Sequence, residues 1–265
     1  MTEPVIFGKE ANIPEQGVPQ QGVPQQGVSL LESSRIRAVF MDAGNTLVHV
    51  DWPEIARLAR AAGHPLSVEA LQVAEYAGRE AVNRLVTHPE ESDDRSRGPL
   101  YFGAILEAAG FPPSSRIEFT EAVRQAHARE CLWRCVLPGT REALRRLSDV
   151  GYRLAIVSNA DGRLASVLKQ AELDDLVEFS LDSHIEGVEK PARELFDRAL
   201  SRMGVHAGES LYVGDLYEID VVGARAAGMH AVLLDPLGRD PARDVLRFPS
   251  IVHVAKELLG TGTDP

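Results

Sequence analysis

Residues 37–47 read RAVFMDAGNTL, an apolar run that ends in an aspartate and a turn-forming segment. The β-branched and aromatic side chains at 37–41 are typical of a short buried strand. Asp42 follows this run directly, and the residues AGNT after it favour a turn. We therefore predict that the folded part of the chain begins with a strand that places Asp42 at the edge of a sheet.

Further strand-like segments alternate with helical patterns along the chain. Strands are predicted at 153–157 (RLAIV), 211–213 (LYV), 231–234 (AVLL) and, more weakly, 177–181 (VEFSL). Helices are predicted at 140–147, 192–203 and 220–227, and Asp220 would be a good N-cap for the last. This alternation indicates βαβ units, so we predict an α/β fold with a parallel sheet covered by helices on both faces.

A long helical segment interrupts this alternation after the first strand. Helical patterns cover 54–61, 68–86, 101–109 and 118–131, and a polar loop is predicted at 88–99. A segment of about 80 residues is far too long for a plain connection. We therefore predict an all-helical domain at 51–132, inserted into an α/β core formed by 35–50 and 133–265.

The first 34 residues differ from the rest of the chain. Residues 14–28 read PEQGV, PQQGV and PQQGV, so proline and glycine recur in every unit. Both residue types oppose helices and strand ladders, and one valine per unit buries too little surface to offset the entropy of ordering. Residues 1–34 are therefore predicted to be a disordered, low-complexity tail.

The composition excludes several classes of protein. The chain has 265 residues, of which 44% are hydrophobic, and its net charge is −11. An acidic chain repels the phosphate backbone of nucleic acid. The sequence shows neither an apolar run of membrane-spanning length nor the pattern of a secretory signal. We expect a cytoplasmic protein that binds neither nucleic acid nor membrane.

The two cysteines, Cys131 and Cys135, are too few for a disulfide scaffold or a four-ligand zinc site. Their spacing predicts that they lie one turn apart on a single helix, where a disulfide would have poor geometry. We interpret them as two thiols packed in the protein.

Polar residues follow or lie between the predicted strands, where the carboxyl edge of a parallel sheet would bring them together. Open α/β sheets bind their ligands at this edge. The candidates are Asp42, Ser158, Asn159, Lys190, Asp215 and Asp220. Because the chain has only four lysines, the choice of lysine in the segment GVEKP is informative.

These residue types can transfer a phosphoryl group. The carboxylate of Asp42 can attack phosphorus and form an aspartyl phosphate. Lys190 can neutralise the transferring oxygens and hold Asp42 ionised, while Ser158 can donate a hydrogen bond to one of them. Asp42 and Asp215 can hold Mg²⁺, and the turn formed by Gly44, Asn45 and Thr46 can direct backbone N–H groups at the anion.

Four motifs, FMDAGNTL, IVSNA, GVEKP and VGDLYEIDVVGARAAGM, together resemble the motifs of the haloacid dehalogenase (HAD) superfamily in order and spacing, over about residues 36–259. The resemblance implies a Rossmann-like, three-layer parallel-sheet core and a subfamily I protein whose type-1 helical cap follows the first motif. It implies Asp42 as the nucleophile, Ser158 as a phosphoryl ligand and Lys190 as the residue that steadies both. The implied Mg²⁺ ligands are Asp42, the backbone carbonyl of Gly44 and Asp215, with Asp220 assisting; the implied substrate contacts are Asn45, Thr46, Ser158, Asn159 and Lys190.

One position departs from the pattern of the phosphatases in this superfamily. The residue two after the nucleophile is usually an aspartate that acts as general acid and base, but here it is Gly44. Such a catalyst typically contributes about 10²–10⁴-fold. A histidine or a water ordered by Asn45 could replace this general acid and base. Alternatively, acyl phosphates and similar substrates have good leaving groups, which need no strong acid. The candidate histidines are His49, His64, His88 and His127.

Three functions fit these residues. The favoured one is a Mg²⁺-dependent phosphatase of a small phosphorylated metabolite that works through an aspartyl phosphate on Asp42. The alternative is a 2-haloacid dehalogenase, a class that also lacks the second aspartate but usually loses the acidic pair Asp215 and Asp220. The third is a HAD-fold binding or regulatory protein with little turnover.

We predict that deleting residues 1–34 leaves the thermal stability nearly unchanged, because a Pro/Gly-rich repeat has too few apolar side chains to pack on the core. Melting temperatures of the full-length and shortened chains check this. A drop of many degrees on deletion would show that the tail packs on the folded part.

Overall fold

The computed structural model describes residues 36–86, 94–240 and 244–260, so the predicted tail lies outside the described residues. The strands are β1 (Ala38–Met41), β2 (His49–Val50), β3 (Trp133–Cys135), β4 (Arg153–Ser158), β5 (Phe179–Asp182), β6 (Ser210–Gly214), β7 (His230–Leu234) and β8 (Leu246–Phe248). The helices are α1 (Trp52–Ala61), α2 (Val68–Val86), α3 (Asp94–Ala108), α4 (Pro113–Arg129), α5 (Thr140–Asp149), α6 (Leu164–Gln170), α7 (Ser183–Glu186), α8 (Arg193–Met203), α9 (Val222–Ala226) and α10 (Ile251–Leu258).

A six-stranded parallel sheet forms the centre of the fold, in the order β5-β4-β1-β6-β7-β8. The strand that ends at Asp42 is central, since Met41 pairs with Ile156 on one side and with Val213 on the other. All the predicted strands are present, with β5 shifted towards the carboxyl end. The short pair β2 and β3 and the edge strand β8 were not predicted, because two or three residues carry little periodicity.

Alternate residues of β1 pack on opposite faces of the sheet. Val39 and Met41 belong to an apolar cluster with α5 and α10, whereas Ala38 and Phe40 belong to a second cluster with α8. This period of two is expected for a strand that is buried on both sides. The predicted α/β fold with helices on both faces is therefore confirmed.

Helices α1 to α4 lie between β2 and β3 and form what we call the helical insert (residues 51–132). The insert has an apolar cluster of its own, to which Ile55, Leu71, Ile105 and Phe111 contribute. The predicted loop at 88–99 is wrong in part, because α3 begins at Asp94 and includes Pro99; residues 87–93 lie outside the described ranges.

The predicted placement of the two cysteines on one helix is wrong. Helix α4 ends at Arg129, and Cys135 lies on β3, where it pairs with His49 of the antiparallel strand β2. The chain thus becomes extended as it returns from the insert to the core. Both thiols are partly buried and free.

Among the helices of the described ranges, none combines the length and the apolar character needed to cross a bilayer.

We predict that Gly78→Ala destabilises the protein by about 1–3 kcal/mol. Gly78 lies where α2 crosses α3, and a Cβ atom there would meet Tyr101 Cδ2 at 2.8 Å and Ile105 Cδ1 at 2.9 Å. The matched control is Gly103→Ala on α3, where a Cβ atom meets nothing within 4 Å. The control is expected to be neutral or stabilising through helix propensity. Urea unfolding of both variants measures the difference, and equal stabilities would contradict close packing at Gly78.

Candidate active site

The ammonium of Lys190 lies at the centre of the site. Its Nζ donates hydrogen bonds to Asp42 Oδ1 at 2.7 Å, to Asp220 Oδ1 at 2.7 Å and to the Tyr212 hydroxyl at 2.8 Å. Lys190 is 1% exposed. Tyr212 in turn donates to the carbonyl oxygen of Val157 at 2.6 Å, so three strand ends are tied to one cation.

Asn159 fixes the backbone of Lys190. Its Oδ1 accepts from the Lys190 N–H at 2.8 Å, and its Nδ2 donates to the Lys190 carbonyl at 2.9 Å. Asn159 follows β4, whereas Lys190 lies between α7 and α8. Both polar groups of Asn159 thus position Lys190, and the predicted contact of Asn159 with substrate stays a prediction.

Asp220 braces the loop after β6. Its Oδ2 accepts from the N–H groups of Asp215 at 3.1 Å and Leu216 at 2.9 Å, while its Oδ1 accepts from Lys190. The predicted N-cap is wrong, because Asp220 lies inside a π-helical turn (Tyr217–Val221) that precedes α9. With both oxygens engaged in this way, Asp220 supports the proposed metal site through Lys190 and Asp215.

The carboxyl of Asp42 is controlled by opposing effects. Burial, the largest, raises its pKa; Lys190 opposes this, Asp220 adds to it, and a hydrogen bond from Ser158 lowers it. The net pKa is raised above the ordinary value of 3.8. As expected, Lys190 lowers the pKa of Asp42 and so favours its ionised form, but the effect of burial is larger. A further positive charge would therefore stabilise the Asp42 carboxylate.

Asp215 has the environment expected of a Mg²⁺ ligand. Its carboxyl is buried, and the guanidinium of Arg79 lies beside it, with Nε 3.7 Å from Oδ2. Within the described ranges its carboxylate oxygens accept no hydrogen bond. Burial raises its pKa well above 3.8; Arg79 opposes this, and the carboxylates of Asp220, Asp42 and Glu75 reinforce it.

Four carboxylates thus share two cations, and a divalent cation would relieve the imbalance. In the described residues no three His, Cys, Asp or Glu side chains converge on one metal position. Mg²⁺ does not require such a cage, since it commonly takes one or two carboxylates together with waters and substrate phosphate. The donor set of Asp42, Asp215 and the Gly44 carbonyl therefore fits Mg²⁺.

The helical insert reaches the turn after Asp42 through Glu75. Asn45 Nδ2 donates to Glu75 Oε1 at 3.2 Å and to the Tyr101 hydroxyl at 2.9 Å, and Tyr101 donates to the same Glu75 oxygen at 2.9 Å. The Nδ2 of Asn45 is thus bound to the insert, and the predicted contact of Asn45 with substrate stays a prediction. Thr46 is 1% exposed, and its Oγ1 has no hydrogen-bond partner among the described residues.

Arg79 joins the insert to the sheet. Its Nε donates to both oxygens of Glu75 at 2.7 and 2.8 Å, and its Nη1 donates to the carbonyl oxygens of Leu234 at 2.8 Å and Asp215 at 3.3 Å. One turn of α2 therefore places a buried carboxylate and a buried guanidinium beside the carboxyl edge of the sheet.

Gly44 lies beneath the indole of Trp133. A Cβ atom at position 44 would lie 3.3 Å from Trp133 Nε1, 3.4 Å from Trp133 Cδ1 and 3.8 Å from Asp42 Oδ2. A larger residue at position 44 would therefore require Trp133 to shift. The Nε1–H group of Trp133 occupies the space into which a side chain at position 44 would project.

Comparisons with known proteins identify the family of this chain. A family model described as haloacid dehalogenase-like hydrolase matches residues 36–228. The chain belongs to the haloacid dehalogenase-like hydrolase family.

Curated relatives of this HAD-like hydrolase include proteins named as phosphatases. Human haloacid dehalogenase-like hydrolase domain-containing protein 3 is 30% identical over 84% of this chain and 94% of its own length. The ribulose-1,5-bisphosphate 5-phosphatase of Halopiger xanaduensis is 31% identical over 75% and 84%. The glyceraldehyde 3-phosphate phosphatase of Pyrococcus abyssi is 29% identical over 62% and 75%.

Solved structures show the same fold. The HAD-hydrolase YfnB of Bacillus subtilis, in a structure bound to magnesium, has a TM-score of 0.62 at 16% identity and covers 84% of this chain and 99% of its own. The L-2-haloacid dehalogenase of Xanthobacter autotrophicus has a TM-score of 0.57 at 18% identity, covering 86% and 100%.

The candidate histidines occupy different places in this HAD-like hydrolase. His64 packs against the Phe111 ring, with centroids 5.1 Å apart, and His88 lies outside the described residues. The Nδ1 of His127 accepts from the Leu132 N–H at 3.2 Å, and its Nε2 lies 2.7 Å from Arg163 Nη2. The buried Nε2 of His49 has no hydrogen-bond partner among the described residues.

Sequence reasoning identified the residues that follow strands but missed several of their partners. Tyr212 was interpreted as part of an apolar strand, and Glu75, Tyr101 and Trp133 as parts of the insert or of its junction with the core. The presence of a tyrosine two residues before the GD pair of VGDLYEID was a usable signal, because its side chain has a polar tip that needs a partner when buried.

We predict that His49 makes the protein sensitive to acid. Burial, and to a smaller degree the charge of Arg79, lowers the pKa of His49 from 6.5 to about 4. The unfolded chain therefore takes up a proton first as the pH falls below 6.5, and stability is lost progressively down to about pH 4. Replacing His49 by Gln should make the stability lost between pH 7.5 and pH 5 smaller by about 1–2 kcal/mol.

Urea unfolding at the two pH values measures this difference. The matched control is His206→Gln, at an exposed position, which is expected to retain the acid sensitivity of the wild type. An unchanged pH dependence in the His49 variant would contradict a buried, neutral imidazole.

Proposed function

We propose that this HAD-like hydrolase is a Mg²⁺-dependent phosphatase that acts on a small phosphorylated metabolite through an aspartyl phosphate on Asp42. The observation that carries the proposal is the buried contact of Lys190 with Asp42 and Asp220, both at 2.7 Å. A buried ammonium beside a carboxylate supplies the charge that an anionic phosphoryl group requires during transfer.

The two oxygens of Asp42 have different surroundings. Oδ1 accepts from Lys190, whereas Oδ2 lies on the side of Gly44, 3.8 Å from the position of a Cβ atom there. Oδ2 is therefore the proposed attacking atom. It forms the bond to phosphorus as the bond to the leaving oxygen breaks, and water then attacks the aspartyl phosphate and releases inorganic phosphate.

Lys190 and Ser158 would hold the phosphoryl oxygens during both steps. Mg²⁺ held by Asp42, Asp215 and the backbone carbonyl of Gly44 would neutralise negative charge on these oxygens when bound. Thr46 also fits an anion site, because its buried Oγ1 lacks a partner in the described part of the chain. Tyr212, Asn159 and Asp220 would keep the ammonium of Lys190 in place throughout.

Two observations support a small substrate. Asp42 is 7% exposed, and contacts of Glu75, Arg79 and Tyr101 close the insert over the sheet edge. Such a closed site admits small phosphates and excludes macromolecular ones. The relatives named as phosphatases act, by their names, on phosphates of small molecules, and this supports a small phosphorylated substrate here.

The dehalogenase alternative is less well supported by the acidic residues. Both Asp215 and Asp220 are present, and Asp215 is a buried carboxyl that a metal would stabilise. Gly44 and the shared fold are compatible with either activity.

We predict that the wild type hydrolyses p-nitrophenyl phosphate and acetyl phosphate with Mg²⁺ but not with EDTA, with a preference for acetyl phosphate, whose leaving group needs no strong acid. Asp42→Asn should abolish turnover, because it removes the nucleophile, while the melting temperature shows an intact fold. The matched control Asp149→Asn, at an exposed position on α5, should retain activity. Phosphate release is the measured quantity.

Two other results would overturn the phosphatase. Chloride release from 2-chloropropionate that depends on Asp42 and persists in EDTA would make the protein a dehalogenase. Binding of inorganic phosphate without turnover of any ester would make it a binding protein.

A further inference from the structure

Trp133 lies where the general acid of the phosphatases would project. Its Nε1 is 3.3 Å from the Cβ position of Gly44, and Asp42 Oδ2 is 3.8 Å from that same position. The indole N–H and Asp42 Oδ2 thus both border the space beside Gly44, whereas Lys190 contacts the other carboxylate oxygen, Oδ1.

The indole is held at the seam between the sheet and the helical insert. Its ring centroid lies 5.6 Å from that of Phe102, 5.9 Å from Tyr101 and 5.3 Å from His127. Trp133 packs against the apolar cluster of the core and against that of the insert. Because β3 is anchored to β2 beside it, both the backbone and the ring of Trp133 are restrained.

The Nε1–H group is available for a ligand. Over the described residues it makes no hydrogen bond, and it is not among the buried polar atoms that lack partners. Trp133 is partly exposed, and the indole N–H is a donor that does not titrate. It can therefore stabilise negative charge on an oxygen atom, but it cannot transfer a proton to it.

We propose that Trp133 is a catalytic residue whose Nε1–H donates a hydrogen bond to the oxygen of the leaving group, in the place of the acid missing at Gly44. This rests on the proposed phosphatase activity. As Asp42 Oδ2 bonds to phosphorus, the bond between phosphorus and the leaving oxygen breaks and its electron pair stays on that oxygen. The indole stabilises this charge, and solvent water supplies the proton.

This arrangement selects a class of substrate. An enzyme that donates a hydrogen bond without a proton favours phosphates whose leaving oxygen is weakly basic, such as acyl and aryl phosphates. A single donor to a developing oxyanion typically contributes about 10²–10³-fold, and less when little charge develops. The contribution of Trp133 should therefore grow with the basicity of the leaving group.

The test compares Trp133→Phe with the wild type on aryl phosphates that range from p-nitrophenyl phosphate to phenyl phosphate. The variant keeps a ring but loses the N–H group. We expect kcat/KM to fall about 10-fold or more on phenyl phosphate and by much less on p-nitrophenyl phosphate. The matched control is Trp52→Phe, since Trp52 is buried in the apolar cluster of the insert, and it should lower all rates equally or not at all.

Equal losses on every ester in the Trp133 variant would overturn its role while leaving the phosphatase intact. A wild type that hydrolyses no ester would overturn the proposed function itself. A wild-type rate that falls above neutral pH with the titration of one acid would also overturn the role of the indole, because an indole does not titrate in that range.

Fluorescence gives a readout that does not depend on turnover. In the Trp52→Phe background Trp133 is the single tryptophan, because the chain has two. Orthovanadate with Mg²⁺ should shift its emission in the folded protein, and this shift should be lost in the additional variant Asp42→Asn. Unchanged emission on binding of orthovanadate would place Trp133 away from the ligand and overturn the proposal.

Discussion

The buried ammonium of Lys190 is the interaction on which the rest of the site depends. It is 1% exposed and joins Asp42 to Asp220, and through Tyr212 it is tied to the carbonyl of Val157. An isolated charge in such a position would be strongly unfavourable. Loss of either Asp42 or Asp220 would leave the charge of Lys190 with one carboxylate partner instead of two. Each residue of this network therefore constrains the identity of its neighbours.

The sequence predicts the features that are set by neighbouring residues better than the contacts between residues far apart in the chain. Strand β1 and the placement of Asp42 follow from eleven consecutive residues, because side-chain period and turn chemistry act over short distances. The contact between Asn45 and Glu75 joins residues 30 positions apart, and that between Arg79 and Leu234 joins residues 155 apart. Such contacts depend on how the insert packs against the sheet, which periodicity does not encode.

The departures from expectation have the same origin. The resemblance implied that Asn45 and Asn159 contact substrate, and the structure adds that both amides bind other parts of the protein, which their local sequence does not indicate. Asp220 has the local pattern of a helix cap but accepts from Lys190 and from backbone N–H groups. In each case a residue near the ligand supports the geometry of its neighbours.

The acceptors of Arg79 are backbone atoms, and this bears on which substitutions the protein can tolerate. Its Nη1 donates to the main-chain carbonyl oxygens of Asp215 and Leu234. Every amino acid carries such an oxygen, whatever its side chain. No substitution at positions 215 and 234 deletes these backbone acceptors, so these two hydrogen bonds do not depend on the side chains there. Substitutions in the insert are more constrained, because the guanidinium of Arg79 and its partner Glu75 lie one turn apart on the same helix. Selection for a new substrate can thus act on the two halves of the molecule unequally.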